Sequence, residues 1–192
     1  MTKTIFFTSD THFDHKNLLK YDRSFSSIEE MNEQIILNWN SVVKPNDDIY
    51  HLGDLSFCKS KEKLKIIINR LHGNKILIRG NHDREHPSYY INLGFKNCFD
   101  YKRIDLNKKT IILSHYPMIA WDKSHFGSWL LYGHCHGKLI NKLNEKIAQF
   151  KEDDFFNITG ISNKMLDVGQ DGNNFFPYSY ENICEIMERK EN

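Results

Sequence analysis

The chain reads as an α/β protein, and three observations predict it. Short apolar, β-prone runs alternate with amphipathic helical stretches through roughly the first eighty residues. Polar residues of the kinds that bind ligands stand just past the carboxyl end of each run, where the ligands of α/β sheets bind. The second half changes texture: strand-like runs follow one another closely, and one helical stretch closes the chain.

In order, KTIFFTS is short and apolar and stops at Asp10, so it predicts a buried strand followed by the polar loop SDTHFDHKN. FSSIEEMNEQIILNWNSVV predicts a helix. Ser26 and Ser27 each precede a glutamate by three, as in a capping box, and Ile28, Met31, Ile35, Trp39 and Val42 recur on one face. Pro45 and the Asn-Asp pair end it. DIYHLG is a second strand, running into Gly53-Asp54. KSKEKLKIIINRL is a second helix with Leu64, Ile67, Ile68 and Leu71 inward, and NKILIRGNHD is strand, then turn. NCFDYKRIDLNKKTIILSHYP predicts two or three strands with a turn near Asn107. SWLLYGHCHG and KMLDVG are further strands. YSYENICEIMERK is a terminal helix with Ser179 as its cap and Ile183, Ile186 and Met187 facing inward. The stretch Asn141–Asn157 is rich in charge and reads as a solvated face or loop. With no repeats or linkers, 1–192 is expected to be a single domain.

Lys plus Arg number 26 against 25 Asp plus Glu, a formal net charge of +1. A protein that tracks a nucleic-acid backbone is usually more basic, although a local patch can hide in a neutral total. Four cysteines, Cys58, Cys98, Cys135 and Cys184, have no CxxC spacing and read as free thiols of a reducing, cytoplasmic compartment. The opening residues are broken too early by Asp10 to act as a signal peptide. No apolar run approaches ~20 residues, so no membrane span or membrane partner is expected. The Asn157-Ile158-Thr159 triplet reads as a chance glycosylation match.

The chemistry sits in five islands: Asp10-Thr11-His12, Gly53-Asp54, Gly80-Asn81-His82-Asp83, Ser114-His115 and Gly133-His134-Cys135-His136. Each alone has a plain structural reading. An Asp after a strand is often a helix cap, Gly-Asp says little, Gly80 and Asn81 can simply form a turn, and His115 alone can be structural. Together, with His82 and Asp83 set aside, they offer two Asp, four His and one Asn, more than one tetrahedral zinc takes. That set suits two divalent ions roughly 3.5–4 Å apart, sharing a carboxylate and holding a hydroxide between them. The mix of carboxylate and imidazole favours Mn²⁺, Fe or Zn²⁺ over Ca²⁺, with Mn²⁺ preferred. A zinc-finger-like structural site accounts for the histidines but leaves the Asn-His-Asp run unexplained.

In their order and spacing these islands resemble the calcineurin-like metallophosphoesterases: Asp-x-His, Gly-Asp, Gly-Asn-His-Asp/Glu, a His, then Gly-His-x-His. The resemblance implies a four-layer α/β/β/α sandwich with two metals at the strand ends. It implies Asp10, His12 and His136 on the first ion, Asp54 as bridge, and Asn81, His115 and His134 on the second. It also implies His82 beside the scissile phosphate, with Asp83 orienting and polarising it. The implied activity is two-metal hydrolysis of a small phosphodiester or phosphomonoester, nucleotide-derived esters included. A nuclease of the same fold, acting on DNA or RNA, is the alternative. It would need a basic or aromatic groove, and Arg84, Lys123 and Lys138 are the cations to map. A non-enzymatic metal-stabilised binding protein is the third reading, which has no use for His82 and Asp83.

Among the neighbours, Arg84 is a candidate to grip a second phosphate oxygen. His15 reads as holding a ligand's ring from behind, and His51 as a core histidine beneath the site. Of Tyr116, Trp121 and Trp129, at least two are expected in the core, which leaves one to stack on a ring. Cys135 is expected to point away from the ions. Asp167, Gly169 and Asp171-Gly172-Asn173 read as a strand end and turn at the rim, without a catalytic role.

Overall fold

The computed structural model describes residues 3–21, 23–139 and 163–191. The charged stretch 141–157 and the Asn157 triplet lie outside the described residues. In chain order the elements are β1 (Ile5–Thr8), α1 (Leu18–Tyr21), α2 (Ile28–Val42), β2 (Asp48–His51), α3 (Lys61–Arg70), β3 (Asn74–Ile78), α4 (Pro87–Leu93) and β4 (Asn97–Phe99). Then follow β5 (Tyr101–Leu106), β6 (Lys109–Ser114), β7 (Trp129–Tyr132), β8 (Met165–Asp167), β9 (Tyr178–Ser179) and α5 (Tyr180–Glu191).

Two sheets form. One has the order β4-β3-β2-β1-β9, parallel except that β9 runs against β1. The other has the order β5-β6-β7-β8, parallel from β6 to β8. The β5–β6 pair is a hairpin whose two turn residues, Asn107 and Lys108, both take the left-handed conformation that a tight hairpin needs.

Strand alternation sorts the core. Phe6, Ile49 and Leu77 face α2, α3 and α4 and pack with Met31, Ile35, Trp39, Leu64, Ile68 and Leu93. Their neighbours Phe7 and Ile78 face the other way, onto Ile111, Leu113, Trp129 and Leu131 of the second sheet, with Ile183 and Met187 of α5. The α/β sandwich expected from the sequence is therefore present, as two sheets flanked by helices. Burying each such side chain favours folding by about 1.5–3 kcal/mol.

Helix α2 starts where its serines place it. Ser27 Oγ accepts from Glu30 N at 3.1 Å, and the Glu30 carboxylate accepts from Ser26 N at 2.7 Å. The return arm of the capping box thus lands one residue before the cap. The Ser179 cap of α5 is also present, with Oγ accepting from Asn182 N at 3.1 Å. Helices α1 and α4 were not foreseen. They are too short to show a periodic apolar face, and α4 is set by local signals instead: the His86 ring accepting from Ser88 N, Pro87 in the first turn, and Gly94 at φ 116° closing it.

Candidate metal centre

The carboxyl ends of β1, β2, β3, β6 and β7 run directly into the five islands. Asp10, His12, Asp54, His134 and His136 all have positive φ, at 57°, 48°, 56°, 70° and 50°. Left-handed backbone costs a residue with a side chain roughly 1–2 kcal/mol, so tertiary contacts must hold it. They do: Asp10 N donates to Gly53 O at 2.9 Å, His12 N to Asp54 O at 3.1 Å and Phe13 N to Leu55 O at 3.0 Å. Gly53, at φ 94°, leaves room for this convergence, since a Cβ there would sit 2.6 Å from both Gly80 N and His115 Nδ1.

Two groups of ligand atoms result, Asp10/His12/His136 and Asp54/His115/His134, with the atoms in each lying within 4.8 Å of one another. Asp54 faces both. Its Oδ1 is 3.5 Å from His115 Nε2 and its Oδ2 is 3.8 Å from His12 Nε2. Asn81 Oδ1 lies 3.1 Å from His115 Nε2. All seven residues expected to hold metal therefore meet in one pocket.

The charges fit cations there. Burial pushes the Asp10 carboxyl up to about 6, with His136 and Ser9 opposing. Burial pushes His12 down to about 2, so its ring is neutral. Asp54 is raised by burial but lowered more by the His115 hydrogen bond and charge, ending at about 2. His115 Nδ1 lies 2.7 Å from Leu52 O, which fixes the proton on that nitrogen. The other nitrogen of a neutral ring then points its lone pair at the oxygens of Asn81 and Asp54. His12 and His136 likewise set Nε2 against Nε2 at 3.3 Å, with rings 8° from parallel. His136 Nδ1 faces Asp171, which turns its Nε2 lone pair into the centre, while His12 Nδ1 has no partner, so a proton on His12 Nε2 or a cation meets that lone pair. A proton on His115, whose pKa Asp54 raises against the effect of burial, does the same only in the second group. The donor set fits two divalent ions.

His82 belongs to neither group. Its ring is about a third exposed, at 34%, with Nε2 3.8 Å from Asp54 Oδ2. Asp83 does not orient or polarise it, contrary to expectation. The Asp83 carboxylate is buried and accepts from the backbone N of Asp54 at 2.7 Å, Gly80 at 2.9 Å and Leu55 at 3.1 Å. Three inward-pointing N–H groups claim it, and it pins two islands together. Arg84 is exposed and donates to Asn81 O at 3.3 Å. With His82, Lys59 and Tyr89 it lines a cavity of about 360 Å³.

The other neighbours sort as follows. His51 is a core histidine: it is fully buried, with its pKa pushed down to about 3 by burial. Thr11 Oγ1 donates to Leu55 O at 2.8 Å and so accepts from His51 Nε2 at 2.9 Å. His15 does not hold a ligand's ring by a hydrogen bond from Nδ1. That atom has no partner, and the ring stacks on Phe57 at 3.6 Å. Trp121 and Trp129 are core, and Tyr116 is the exposed ring of the three, at 46%. Cys135 packs against the apolar cluster around Leu130 and Tyr132. Lys123 lines a cavity with Lys108 and Lys109 at the start of β6, the opposite end of that strand from His115. Arg84, Lys123 and Lys138 therefore do not line one groove.

Arg23 and Phe57 were not recognised from the sequence, and Asp167 and Asp171 were read only as a strand end and turn at the rim. Asp171 accepts from His136 Nδ1 at 2.7 Å. Arg23, buried, forks onto Asp171. Asp167 accepts from Gly137 N at 2.9 Å and so holds the loop that carries His134 and His136. Phe57 packs against the rings of His82 and His12, at 4.4 and 5.5 Å. The available signal was the Asp-x-x-x-Asp-Gly run directly after a strand, the same placement that marked the five islands.

Residues 3–171 match the family described as Calcineurin-like phosphoesterase. An uncharacterized protein of Methanocaldococcus jannaschii is 33% identical over 189 residues, covering 97% of this chain and 93% of its own. The Gene 66 protein of Mycobacterium phage L5 is 28% identical over 161 residues, covering 70% of this chain and 78% of its own. The crystal structure of a protein of unknown function from Aquifex aeolicus matches with a TM-score of 0.71 at 25% identity, covering 96% of this chain and 100% of that one.

Proposed function

Because this chain belongs to the calcineurin-like phosphoesterase family and so is a metal-dependent phosphoesterase, we propose that it hydrolyses a small, accessible phosphodiester or phosphomonoester, with nucleotide-derived esters the first class to test. The observation that carries this reading is Asp54, whose two carboxylate oxygens face different ligand groups at 3.5 and 3.8 Å. One anion between two cations lets them approach each other closely. A pair of divalent ions supplies Lewis acidity at the phosphoryl oxygens and a water acidic enough to attack near neutral pH. Asp10, His12 and His136 would hold one ion, and Asn81, His115 and His134 the other. Mn²⁺ suits the mix of carboxylate, imidazole and amide oxygen.

The chain's own groups supply the rest. The His82 ring stands at the mouth, outside both ligand groups, where it donates a proton to the departing alkoxide. Its backbone N–H donates to Asp54 Oδ1 at 3.0 Å, which ties the turn carrying His82 to the bridging carboxylate. Arg84 sets its fork over the neighbouring cavity and takes a free phosphoryl oxygen. Neutral Asn81 limits the negative charge that an anionic substrate meets.

The test is hydrolysis of bis-p-nitrophenyl phosphate and p-nitrophenyl phosphate with added Mn²⁺, before and after chelation, followed by a broad phosphoester panel. Turnover that disappears on chelation and returns with Mn²⁺ is expected. Protein carrying two ions yet inert across the panel would defeat the reading.

A further inference from the structure

His136 differs from the other ring ligands in what stands behind it. Its Nδ1 lies 2.7 Å from Asp171 Oδ2, so that nitrogen donates and Nε2 turns a lone pair toward His12 and Asp10. Asp171 is itself clamped. Arg23 Nε donates to its Oδ1 at 2.8 Å and Nη2 to its Oδ2 at 2.9 Å. The same guanidinium reaches the first island, with Nη1 donating to Thr11 O at 2.9 Å and Nη2 to Asp10 O at 2.6 Å. Arg23 is 2% exposed, with its guanidinium 5.2 Å from the centre of the Phe175 ring.

One planar fork therefore addresses all three ligands of the first group. It holds Asp10 by its own carbonyl, His12 by the carbonyl just before it, and His136 through Asp171. Asp10 and His12 are two of the left-handed residues, whose backbone relaxes unless held. A fork with several fixed donors suits this task, and a single ammonium cannot copy it.

We propose that Arg23 and Asp171 are positioning residues that pre-form the Asp10/His12/His136 group, fixing the ring of His136 and the turn that carries Asp10 and His12. This rests on the reading of that group as a metal site. Neither residue touches substrate; both act through the ligands they hold.

The test uses full-length protein stripped by chelation, with Asp171→Ala, Asp171→Asn and Arg23→Lys variants. Calorimetric titration with Mn²⁺ is expected to show two binding steps in the wild type. In the variants one step should weaken by ~10–100-fold, the usual cost of losing a group behind a metal-bound histidine, while the other holds. Arg23→Lys keeps the charge and should still weaken the same step. In ¹⁵N-edited spectra of the metal-free protein, the His136 Nδ1–H shared with Asp171 should give a downfield signal that Asp171→Ala abolishes. Should Asp171→Ala fail to fold, the near-isosteric Asp171→Asn carries the test, because an amide cannot accept from His136 and Arg23 at both of its former oxygens.

Wild-type affinity at both steps in folded Asp171→Asn and Arg23→Lys would overturn the proposal. So would equal weakening of both steps, the sign of a general structural role. A wild type that binds two ions but hydrolyses nothing would defeat the phosphoesterase reading and leave this one standing. A wild type that binds no ion would end both.

Discussion

The two halves of the metal centre are braced by different means. Asp10, His12 and His136 are held by charged side chains: Arg23 grips two carbonyls and Asp171, and Asp171 grips His136. Asp54 and His115 are held with no ion pair, each by a hydrogen bond that has a backbone group at one end. Leu52 O accepts from His115 Nδ1, and the N–H groups of Asp54 and Leu55 are gathered by Asp83. His134, the third member of that half, is exposed and touches Tyr116 and His115 edge-on at 5.1 Å each. A brace of this kind leaves no unpaired countercharge behind when its partner is lost. A buried ionic brace needs every partner in place and is costly when one is missing. The first half should therefore respond sharply to single substitutions behind the ligands, and the second should respond mainly through fold stability.

The largest effect is expected where the halves join. Asp54→Ala removes the anion common to both, so neither ion should remain bound. Hydrolysis should then fall by more than ~10⁴-fold, because several kcal/mol of charge stabilisation and the neutral-pH nucleophile go together. Metal content by mass spectrometry and turnover of bis-p-nitrophenyl phosphate read both consequences. Retention of one ion would show that the halves bind independently, and the comparison would then describe two sites rather than one.

His82→Ala should leave both ions in place and lower kcat by ~10²–10⁴-fold, the usual share of a general acid. Loss of an ion would make His82 a ligand, on the Asp54 Oδ2 side that His12 shares, and change what that half contains. The diagnostic pair is metal stoichiometry against kcat on one preparation.

How much of this was legible in the sequence divides along the same line. The convergence of the seven candidate ligands could be read because each sits within a few residues of the end of an apolar run, and strand ends in such folds converge. Groups that hold a ligand's side chain with their own backbone carbonyl, as Leu52 holds the His115 ring, were present beside the motifs without being visible as chemistry. Arg23 and Asp171 could not be paired from sequence. They are 148 positions apart, and Asp171 is 35 from His136, with no periodicity linking them. Asp83 lies beside the candidate ligands but does not pair with His82 as the sequence suggested. Adjacency to His82 suggested a side-chain pair, while the turn aims its carboxylate inward at three N–H groups. Helix α4 escaped because seven residues cannot display an amphipathic period.

Asp83→Ala tests the backbone-braced half directly. Leaving a buried N–H without an acceptor costs roughly 1–3 kcal/mol, and three are affected, so a loss of about 3 kcal/mol or more in unfolding free energy is expected. Urea unfolding of metal-free protein measures it. Asp171→Ala leaves the buried Arg23 charge unpaired and should also lose stability, but it alone should weaken one ion-binding step selectively. If both variants lose stability and affinity alike, the distinction between the two braces fails.

The smallest effect separates the ring at the exposed edge from the ligands beside it. Tyr116 lies edge-on to His115 and His134, at 5.0 and 5.1 Å, and nearly half of its surface is open. An aromatic leaving group or base that reaches this side has a ring to pack on, worth about 0.5–1.5 kcal/mol. Tyr116→Ala should raise KM for aryl and nucleoside phosphoesters by roughly 2–10-fold, leave kcat nearly unchanged, and leave alkyl phosphoesters untouched. A fall in kcat with every ester would give Tyr116 a different task, holding the exposed His134 ring in place. The second half would then also depend on a side chain behind its ligand, and the contrast between the halves would narrow to the charge that Arg23 and Asp171 bring.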